Sequence, residues 1–334
     1  MKICIYGAGS LGVVLGAFVN RGGVRADLVH HNKAVVDALN EKGAHVVGTV
    51  DFTQPVRALL PEEMDRDYDI VILLTKQIDN EAVATFLKDR MAPDGVLVTL
   101  QNGLPEEGLA RVLGEEKVLG CTVAWGATLK GPGVSELTSH PDSLTFSLGS
   151  TFPTPNPHLE DVKRVLELMG PVTVEENFIG ARWSKLLINS AFSGMSTVLG
   201  CTFGEAAKTM ASRKIVLALI KECIDVCAQA GIRIEPVQGK DAVKLLDYRN
   251  PLKKALSLLI LPIAIRKHAL LKASMLQDIE KGKTRTEVDG INGAIAAFGR
   301  KVGCPTPLND KVTDLIPHIE KGELKPSFGN LKFF

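Results

Sequence analysis

The sequence lacks the features that mark several large classes of protein. Its formal net charge is only +1 over 334 residues, and no block of like charges is long enough to form a binding tail. The longest apolar run, Ala255–Ile265, is interrupted by Pro262 and falls well short of the ~20 residues that span a bilayer. These absences argue against nucleic acid and against a membrane as partners.

The six cysteines form no C-x-x-C pair. Cys223 and Cys227 lie four residues apart and can share a helix face, but no histidine lies near them in sequence to complete a zinc site. We therefore expect no metal and small buried thiols in a reducing cytosol. The chain also starts on the strand-like run Met1–Tyr6 rather than on a leader segment, which predicts a cytoplasmic protein.

Strands and helices alternate through the first half of the chain. The run Asp69–Thr75 (DIVILLT) is typical of a fully buried parallel strand, and from about Asn177 onward the pattern is almost entirely helical. The sequence therefore predicts an α/β fold with two domains. Residues 1–177 are expected to form a doubly wound parallel sheet, and residues 178–334 an all-helical domain.

Several elements are predicted in detail. Strands are expected at Cys121–Trp125, Val134–Leu137 and Leu144–Leu148, lying side by side, with a tight turn at the Gly-Pro-Gly sequence that precedes the second of them. In the helical half, single helices are expected over Ile179–Ser196 and Gln238–Leu246, among others.

The motif GAGSLG at the start of the chain matches G-x-G-x-x-G, and it follows a strand at once and opens a helix. Gly7 permits the sharp turn, Gly9 lets the backbone approach a pyrophosphate, and Gly12 lets helix and strand pack closely. The N–H groups at the helix start, around Ser10 and Leu11, then face the phosphates. The alternative is a plain strand–turn–helix in which the glycines serve packing only.

The end of the second strand selects between the two nicotinamide cofactors. An acidic residue there binds the ribose 2′-hydroxyl of NADH, whereas a basic one accommodates the 2′-phosphate of NADPH. This chain has His30, His31, Asn32 and Lys33 at that point and no acid. We therefore expect NADPH, with NADH not excluded, and with solvated helix-start residues as the alternative interpretation.

Polar residues also follow two buried strands. Lys76 and Asn102 stand at the carboxyl ends of consecutive predicted strands, and ligands of open α/β sheets bind beyond those ends. We expect both side chains to reach the cofactor site, although a solvated strand-end lysine would give the same pattern.

A polar stripe marks one predicted helix of the second half. Lys185, Asn189 and Ser193 are spaced four apart and so share one helix face in an otherwise apolar segment. Such a stripe needs a partner, which favours a site over mere exposure. Further on, Ser274 opens a polar stretch, and Glu287 precedes an apolar helix, where it could simply act as an N-terminal cap.

Taken together, these stretches resemble the ketopantoate reductase (2-dehydropantoate 2-reductase) family. The resemblance covers nearly the whole chain, from GAGSLG through LLTKQ, LQNGLP, the GPG turn and WSKLLINSAFS to SMLQDIEKGKTRTEVDGINGAI and the late CPTP. It implies that residues 1–177 form a Rossmann-type domain that binds NAD(P), and that residues 178–334 form a helical domain for substrate and dimerisation.

The resemblance also implies a role for each matching residue. It makes Lys185 the general acid, Asn189 a substrate-binding amide and Ser274 a substrate contact. Glu287 becomes the carboxylate that orients both the substrate and the lysine.

The same resemblance places Lys76 and Asn102 along the crevice between cofactor and substrate. Two positions depart from the family's pattern. Ser193, which we take as a substrate contact, stands where the family often has a second asparagine, and His31 stands where it often has an arginine. Residues 250–268 also look longer than in the most compact members.

The activity implied is the NADPH-dependent reduction of the C2 ketone of ketopantoate to pantoate, on the route to coenzyme A. Two alternatives stay open: a reductase of a different 2-oxo acid on the same scaffold, and a dinucleotide-binding redox sensor without turnover. The expected partner is a small 2-oxo acid, and a homodimer through the helical domain is an open possibility.

Overall fold

A computed structural model describes residues 1–236 and 239–334. They form two compact units. The first unit contains Met1–Gln101 and Pro105–Phe178, and the second contains Asn102–Leu104 and Ile179–Phe334. No helix formed by the described residues is long and apolar enough to cross a membrane.

The first unit contains both strands and helices. Its strands are β1 Ile3–Tyr6, β2 Ala26–Val29, β3 Ala44–Gly48, β4 Phe52–Gln54, β5 Arg57–Leu59, β6 Tyr68–Leu73, β7 Met91–Thr99, β8 Val118–Val123, β9 Ala127–Gly131, β10 Val134–Leu137, β11 Phe146–Gly149 and β12 Val172–Val174. Its helices are α1 Ser10–Arg21, α2 Lys33–Lys42, α3 Asn80–Lys88, α4 Glu106–Leu113 and α5 Leu159–Leu166.

Eight of these strands form one sheet in the order β12-β11-β8-β7-β6-β1-β2-β5. All neighbouring pairs run parallel except β8 and β11. The chain builds outward from β1 in both directions, so the strand order reverses between β1 and β6. This is a doubly wound sheet, as the alternating sequence pattern predicts, and its ligand-binding position is the carboxyl end of β1 and β6.

A second, four-stranded sheet has the order β4-β3-β10-β9. The prediction that Val134–Leu137 lies beside its two sequence neighbours was therefore wrong. Only β8 and β11 pair with each other, whereas β10 pairs with β3 and, through the Gly-Pro-Gly turn, with β9. Helix α1 packs against β3 and β10 as well as β2, so it lies between the two sheets.

Both faces of the eight-stranded sheet are buried, because successive side chains along a strand point to opposite faces and both sets are apolar. Ile3 and Ile5 of β1 belong to the core that includes Val13 of α1, whereas Cys4 belongs to the core on the other face with Leu109 of α4. Continuous apolar runs such as β6 are the sequence signature of strands covered on both sides. This packing holds the turn that follows β1 in place.

The second unit is helical. Its helices are α6 Phe178–Ile188, α7 Gly194–Leu199, α8 Phe203–Ala206, α9 Met210–Gln229, α10 Ala242–Leu246, α11 Pro251–Ala264, α12 Ser274–Glu280, α13 Val288–Val302 and α14 Pro307–Glu320. Helix α9 contacts α10, α11, α13 and α14 and forms the centre of the core. The start of the helix predicted at Gln238–Leu246 lies outside the described residues.

The helix predicted over Ile179–Ser196 is interrupted. Between α6 and α7 the backbone forms a π-helical segment over Asn189–Ser193. Its hydrogen bonds run to the fifth rather than the fourth residue, which adds a residue to the turn. No propensity or spacing rule predicts such a segment, and it lies within the polar stripe that the sequence singles out.

Candidate active site

The glycine turn after β1 is shaped by close backbone packing. Gly7 has φ +110°, and a Cβ there would lie 2.7 Å from the Thr75 nitrogen in the loop after β6. A Cβ on Gly12 would lie 2.2 Å from the Gly7 carbonyl oxygen. The Gly7 and Ala8 N–H groups donate to the Val29 carbonyl, at 3.0 and 2.9 Å. The turn therefore joins the ends of β1, β2 and β6, and no larger residue fits its first and last positions.

The start of α1 has the properties of an anion site. Gly9 is the N-cap, no side chain caps the helix, and its first turn contains no acidic residue. The N–H groups of Ser10 and Leu11 thus lie at a positive helix end without a side-chain acceptor in the described part of the chain. The Cβ position of Gly9 is open space. These residues fit the pyrophosphate of a dinucleotide.

The loop after β6 is fixed by a buried amide. Gln101, only 4% exposed, donates from Nε2 to the Thr75 carbonyl and to Asn80 Oδ1, both at 2.8 Å. Its Oε1 accepts from Asn80 Nδ2 at 3.0 Å and from the Thr99 hydroxyl at 3.1 Å. This network ties the carboxyl ends of β6 and β7 together, and the half-buried Lys76 directly follows Thr75. Sequence reasoning missed Gln101 and chose its neighbour Asn102, which clusters with the second unit.

The end of β2 carries two stacked histidines. The rings of His30 and His31 lie 4.5 Å apart with an interplanar angle of 22°. Burial and the neighbouring His31 lower the pKa of His30. His30 Nδ1 accepts the Asn32 N–H at 3.0 Å, so His30 is a neutral acceptor that orders the turn. His31 is exposed and is the imidazole that can meet a cofactor group.

Asn32 and Lys33, which follow the two histidines, already have partners within the protein. Asn32 caps α2 by accepting the Ala34 N–H at 2.9 Å. The exposed Lys33 ammonium binds Asp37 at 2.7 Å, one turn along the helix. A 2′-phosphate at this position could compete with Asp37 for the ammonium, since exposed pairs of this kind are weak.

In the second unit, the predicted polar stripe lies at the junction of α6 and the π-helical segment. Lys185 and Asn189 are half-buried, whereas Ser193 is 6% exposed. Asn189 and Ser193 are the first and last residues of the π-helical segment. That Lys185, Asn189 and Ser193 share one face stays a prediction.

The π-helical segment is supported by a chain of buried polar groups. Asn292, fully buried on α13, donates from Nδ2 to the Ser190 carbonyl and to Asn309 Oδ1, both at 3.0 Å. Asn309 in turn donates from its backbone and side chain to the Glu222 carboxylate, at 3.0 and 2.8 Å. Glu222 also accepts the Leu308 N–H at 2.8 Å, and burial raises its pKa. The carboxylate thereby satisfies N–H groups at the start of α14.

Two further predicted residues lie on helices that pack against this segment. Helices α12 and α13 both contact Asn189–Ser193. Ser274 is the first residue of α12 and is exposed. Asp278, one turn later, is 8% exposed and binds the Lys283 ammonium at 3.0 Å. Nothing in the local sequence distinguishes Asp278 from a solvated aspartate.

Glu287 stands at the N-cap position of α13, yet its side chain makes no capping hydrogen bond to that helix. The Thr286 hydroxyl accepts the Val288 N–H instead, at 3.4 Å. Glu287 is only 8% exposed. The Glu287 side chain is therefore buried without capping the helix that follows it.

Some buried polar residues gave no signal in the sequence. Arg182 on α6 is 1% exposed and lies one turn before Lys185. Nothing in the local sequence marks it, because a single arginine on an amphipathic helix is usually solvated. Among the described residues, no group of three or more His, Cys, Asp and Glu side chains could hold a metal ion.

The family models of ketopantoate reductase match both parts of the chain. The model described as ketopantoate reductase PanE/ApbA matches residues 3–150, and its C-terminal counterpart matches residues 177–320. A 2-dehydropantoate 2-reductase of Pyrococcus horikoshii is 29% identical over 310 residues, which cover 92% of this chain and 94% of that protein. The one of Archaeoglobus fulgidus is also 29% identical, over 96% of this chain and 98% of that protein.

Solved structures agree with the fold. A D-mandelate dehydrogenase with NADH and anilino(oxo)acetate superposes with a TM-score of 0.81 at 25% identity, covering 96% of this chain and 99% of that chain. A ketopantoate reductase of Ralstonia eutropha has the same TM-score at 24% identity, over 97% and 99% of the two chains. The α/β fold predicted from the sequence is confirmed. The chain belongs to the ketopantoate reductase family of oxidoreductases.

Proposed function

We propose that the protein is a cytoplasmic 2-dehydropantoate 2-reductase that uses NADPH to reduce the C2 ketone of ketopantoate to pantoate, within coenzyme A biosynthesis. The observation that carries this proposal is the similarity to curated 2-dehydropantoate 2-reductases over more than nine-tenths of both chains. All six cysteines are free thiols, five of them buried, which agrees with a reducing compartment.

The first unit holds the cofactor in this proposal. The open backbone at Gly9 and the N–H groups of Ser10 and Leu11 bind the pyrophosphate, while Gly7 and Gly12 shape the turn. His31 meets the 2′-phosphate, and Lys76, which follows the carboxyl end of β6, contacts the cofactor. When bound, the reduced nicotinamide supplies the hydride that the C2 carbon accepts.

The second unit supplies the proton and the substrate contacts. Lys185 donates a proton to the ketone oxygen as negative charge develops there, so that the product is an alcohol. Asn189 and Ser193 hold the substrate through the two ends of the π-helical segment. Because that segment is held by buried hydrogen bonds, these contacts are ordered before substrate binds.

Three further residues complete the proposed site. Glu287 accepts a hydrogen bond from the substrate hydroxyl and orients Lys185, and its burial without a capping role supports this assignment. Ser274, at the exposed start of α12, and Asn102 contact the substrate as well.

A second candidate is the reduction of a different 2-oxo acid. The structural similarity to D-mandelate dehydrogenase, which binds NADH in its solved complex, favours this alternative. Ser193 in place of a second asparagine alters the hydrogen bonds that the π-helical segment can offer a substrate.

One assay separates these candidates. kcat/KM is measured for ketopantoate, phenylglyoxylate and other branched 2-oxo acids, each with NADPH and with NADH. The proposal expects ketopantoate with NADPH to be fastest. A preference for phenylglyoxylate would favour the second candidate, and binding of NADPH without turnover of any ketone would favour a redox sensor.

His31→Asp tests the cofactor assignment, because a carboxylate repels a 2′-phosphate and can bind a 2′-hydroxyl. We expect this variant to shift the ratio of kcat/KM values toward NADH. His140→Asp makes the same change at an exposed histidine elsewhere in the first unit and is the matched control. An unchanged ratio in His31→Asp would contradict the assignment. A homodimer through the second unit stays a prediction.

A further inference from the structure

Helix α11 exposes a continuous apolar face. Leu252, Leu256, Leu259 and Ile263 are 83, 48, 63 and 71% exposed. Their spacing of four, three and four residues places all of them on one narrow side of the helix. We call these four residues the α11 stripe.

The stripe lies opposite the face that holds α11 to the protein. Ser257, Leu258, Leu261 and Ile265 are buried, and the first of them donates to the Leu245 carbonyl at 3.1 Å. The helix is therefore fixed by one apolar face and presents a second one outward. A helix that is apolar on two opposite sides needs something to cover the outer side.

The exposed apolar surface continues past the end of the helix. Leu270 and Leu271, which follow a short 3₁₀ turn at Arg266–His268, are 91 and 49% exposed. Six large exposed apolar side chains thus occur within twenty residues. Elsewhere in the described chain such side chains are scattered singly or lie at the ends, as is normal for a soluble protein.

The same segment is strongly basic. Residues 251–272 contain no aspartate or glutamate, and their basic residues are Lys253, Lys254, Arg266, Lys267 and Lys272. The near-zero charge of the whole chain hides this local excess. The expectation that the chain has no membrane partner rested on that total and on apolar runs too short to span a bilayer, and neither excludes binding of this segment at a membrane surface.

The five basic side chains of this segment differ in whether they already contact other groups of the protein. Lys272 binds Glu280 at 2.7 Å, Lys253 donates to the Lys244 carbonyl at 2.8 Å, and Lys254 lies 5.0 Å from the centre of the Tyr248 ring. Arg266 and Lys267 are exposed, and neither has an acidic partner among the described residues. Two cations therefore flank the apolar surface at the carboxyl end of α11 and are available to an anionic partner.

We propose that the α11 stripe, Leu270 and Leu271 dock this protein on a lipid bilayer that contains anionic headgroups. The apolar side chains enter the boundary between headgroups and acyl chains, and Arg266 and Lys267 meet the headgroup phosphates. The helix lies along the surface, because its 14 residues are too few to cross a bilayer.

A second copy of the chain fits this surface less well. A two-fold contact centred on α11 would bring two segments of like charge together with no acid in either. A stable dimer also buries about 20–30 residues on each side, more than one helical stripe provides. A bilayer needs no complementary shape and supplies the negative charge.

The test is flotation of the purified full-length protein with vesicles. One set contains phosphatidylglycerol and phosphatidylcholine, and the other contains phosphatidylcholine alone. We expect the protein to float with the first set, to float much less with the second, and to be released as salt is raised, because screening weakens the headgroup contacts. No flotation with anionic vesicles at low salt would overturn the proposal.

Two variants separate the apolar from the charged contribution. Leu259→Asp should lower the partition coefficient by roughly tenfold or more, since it places a charge in the apolar stripe. Val174→Asp makes an equal charge change at an exposed apolar residue of the first unit and should bind like wild type. R266Q/K267Q should lower partition by roughly fivefold per charge removed. K42Q/K88Q removes two exposed cations from the first unit as its control.

Sedimentation velocity and turnover complete the test. We expect reductase activity without vesicles to be the same in Leu259→Asp as in wild type, because the stripe lies outside the proposed site. If wild type sediments as a dimer and Leu259→Asp as a monomer, the stripe is a self-association surface and the bilayer proposal is wrong.

Discussion

At the scale of single residues, Lys185 carries the chemistry in the proposed reaction. Lys185→Ala removes the proton donor while the glycine turn of the other unit is unchanged. We expect kcat to fall by roughly 10²–10⁴, the usual contribution of a positioned acid, with NADPH affinity nearly intact. Steady-state kinetics and fluorescence titration of NADPH measure the two effects.

Lys214→Ala is the matched control, because Lys214 is an exposed lysine on α9 of the same unit. It should keep wild-type kcat. A Lys185→Ala enzyme that also turned over at the wild-type rate would make Lys185 an ordinary surface residue.

Substitution of Glu287 tests whether its carboxylate has a structural or a functional role. As a substrate ligand, its removal leaves a polar group unpaired, which costs about 1–3 kcal/mol of binding free energy. Glu287→Ala should therefore raise KM for ketopantoate and lower kcat, with NADPH affinity unchanged. Glu287→Gln should recover part of KM, because the amide oxygen still accepts a hydrogen bond.

Glu205 provides the comparison, since it does cap a helix: its Oε2 accepts the Thr202 N–H at 2.8 Å. Glu205→Ala should lower the melting temperature and leave the kinetics alone. The same outcome in Glu287→Ala, with wild-type kcat/KM, would return Glu287 to a structural role.

At the residue scale, the sequence marks candidate site residues where chemistry and spacing coincide. Lys185, Asn189 and Ser193 stand out because polar groups in an apolar helical pattern need partners, whereas Glu287 is singled out by the family resemblance alone. Gln101 and Arg182 did not, because their burial arises from packing between elements distant in sequence. The sequence around Gln101 and Arg182 does not distinguish either residue from one with a solvated side chain.

At the scale of elements, the π-helical segment connects the core to the proposed site. Asn292→Leu removes the donor to the Ser190 carbonyl and leaves buried acceptors unpaired, which should cost about 1–3 kcal/mol of stability. If the segment positions Asn189 and Ser193, KM for ketopantoate should rise several-fold more than kcat falls. Both are read from steady-state kinetics alongside a denaturant melt.

Asn330→Leu controls for the loss of stability alone. Asn330 is also a buried amide of the second unit and donates to the Val198 and Lys325 carbonyls, at 3.0 and 2.9 Å. It should lose similar stability with an unchanged KM. Equal KM values in the two variants would mean that Asn292 has no positioning role.

The elements themselves were predictable to different degrees. The strands β1, β6 and β7 carry continuous apolar runs, so the main sheet could be inferred. The four-stranded sheet could not, because β3 and β10 pair across about 85 residues of intervening chain and their short strands carry no register signal. The π-helical segment depends on Asn292, which is a hundred residues away in sequence.

At the scale of the whole molecule, the net charge of the chain does not reveal the basic and apolar surface of residues 251–272. The net charge of +1 is the sum of a charge of +5 on residues 251–272 and a charge of −4 on the rest of the chain. Composition bounds the class of a protein, but patches are set by which faces the fold leaves exposed. The α11 stripe becomes visible only when α9 and α10 cover the opposite side of that helix.

Cofactor binding should appear in the stability of the whole molecule. A ligand that binds only the folded state, at a concentration a hundred times its Kd, stabilises that state by ~2.7 kcal/mol. NADPH should therefore raise the melting temperature by several degrees.

Gly9→Ala adds one methyl group at a position with nothing within 4 Å. We expect the variant alone to melt like wild type, but to lose most of the NADPH-induced rise, because the methyl occupies the space that the pyrophosphate needs. Gly108→Ala, where the added methyl on α4 also meets open space, should keep the full rise. An undiminished rise in Gly9→Ala, measured by differential scanning fluorimetry with saturating NADPH, would show that the dinucleotide binds elsewhere.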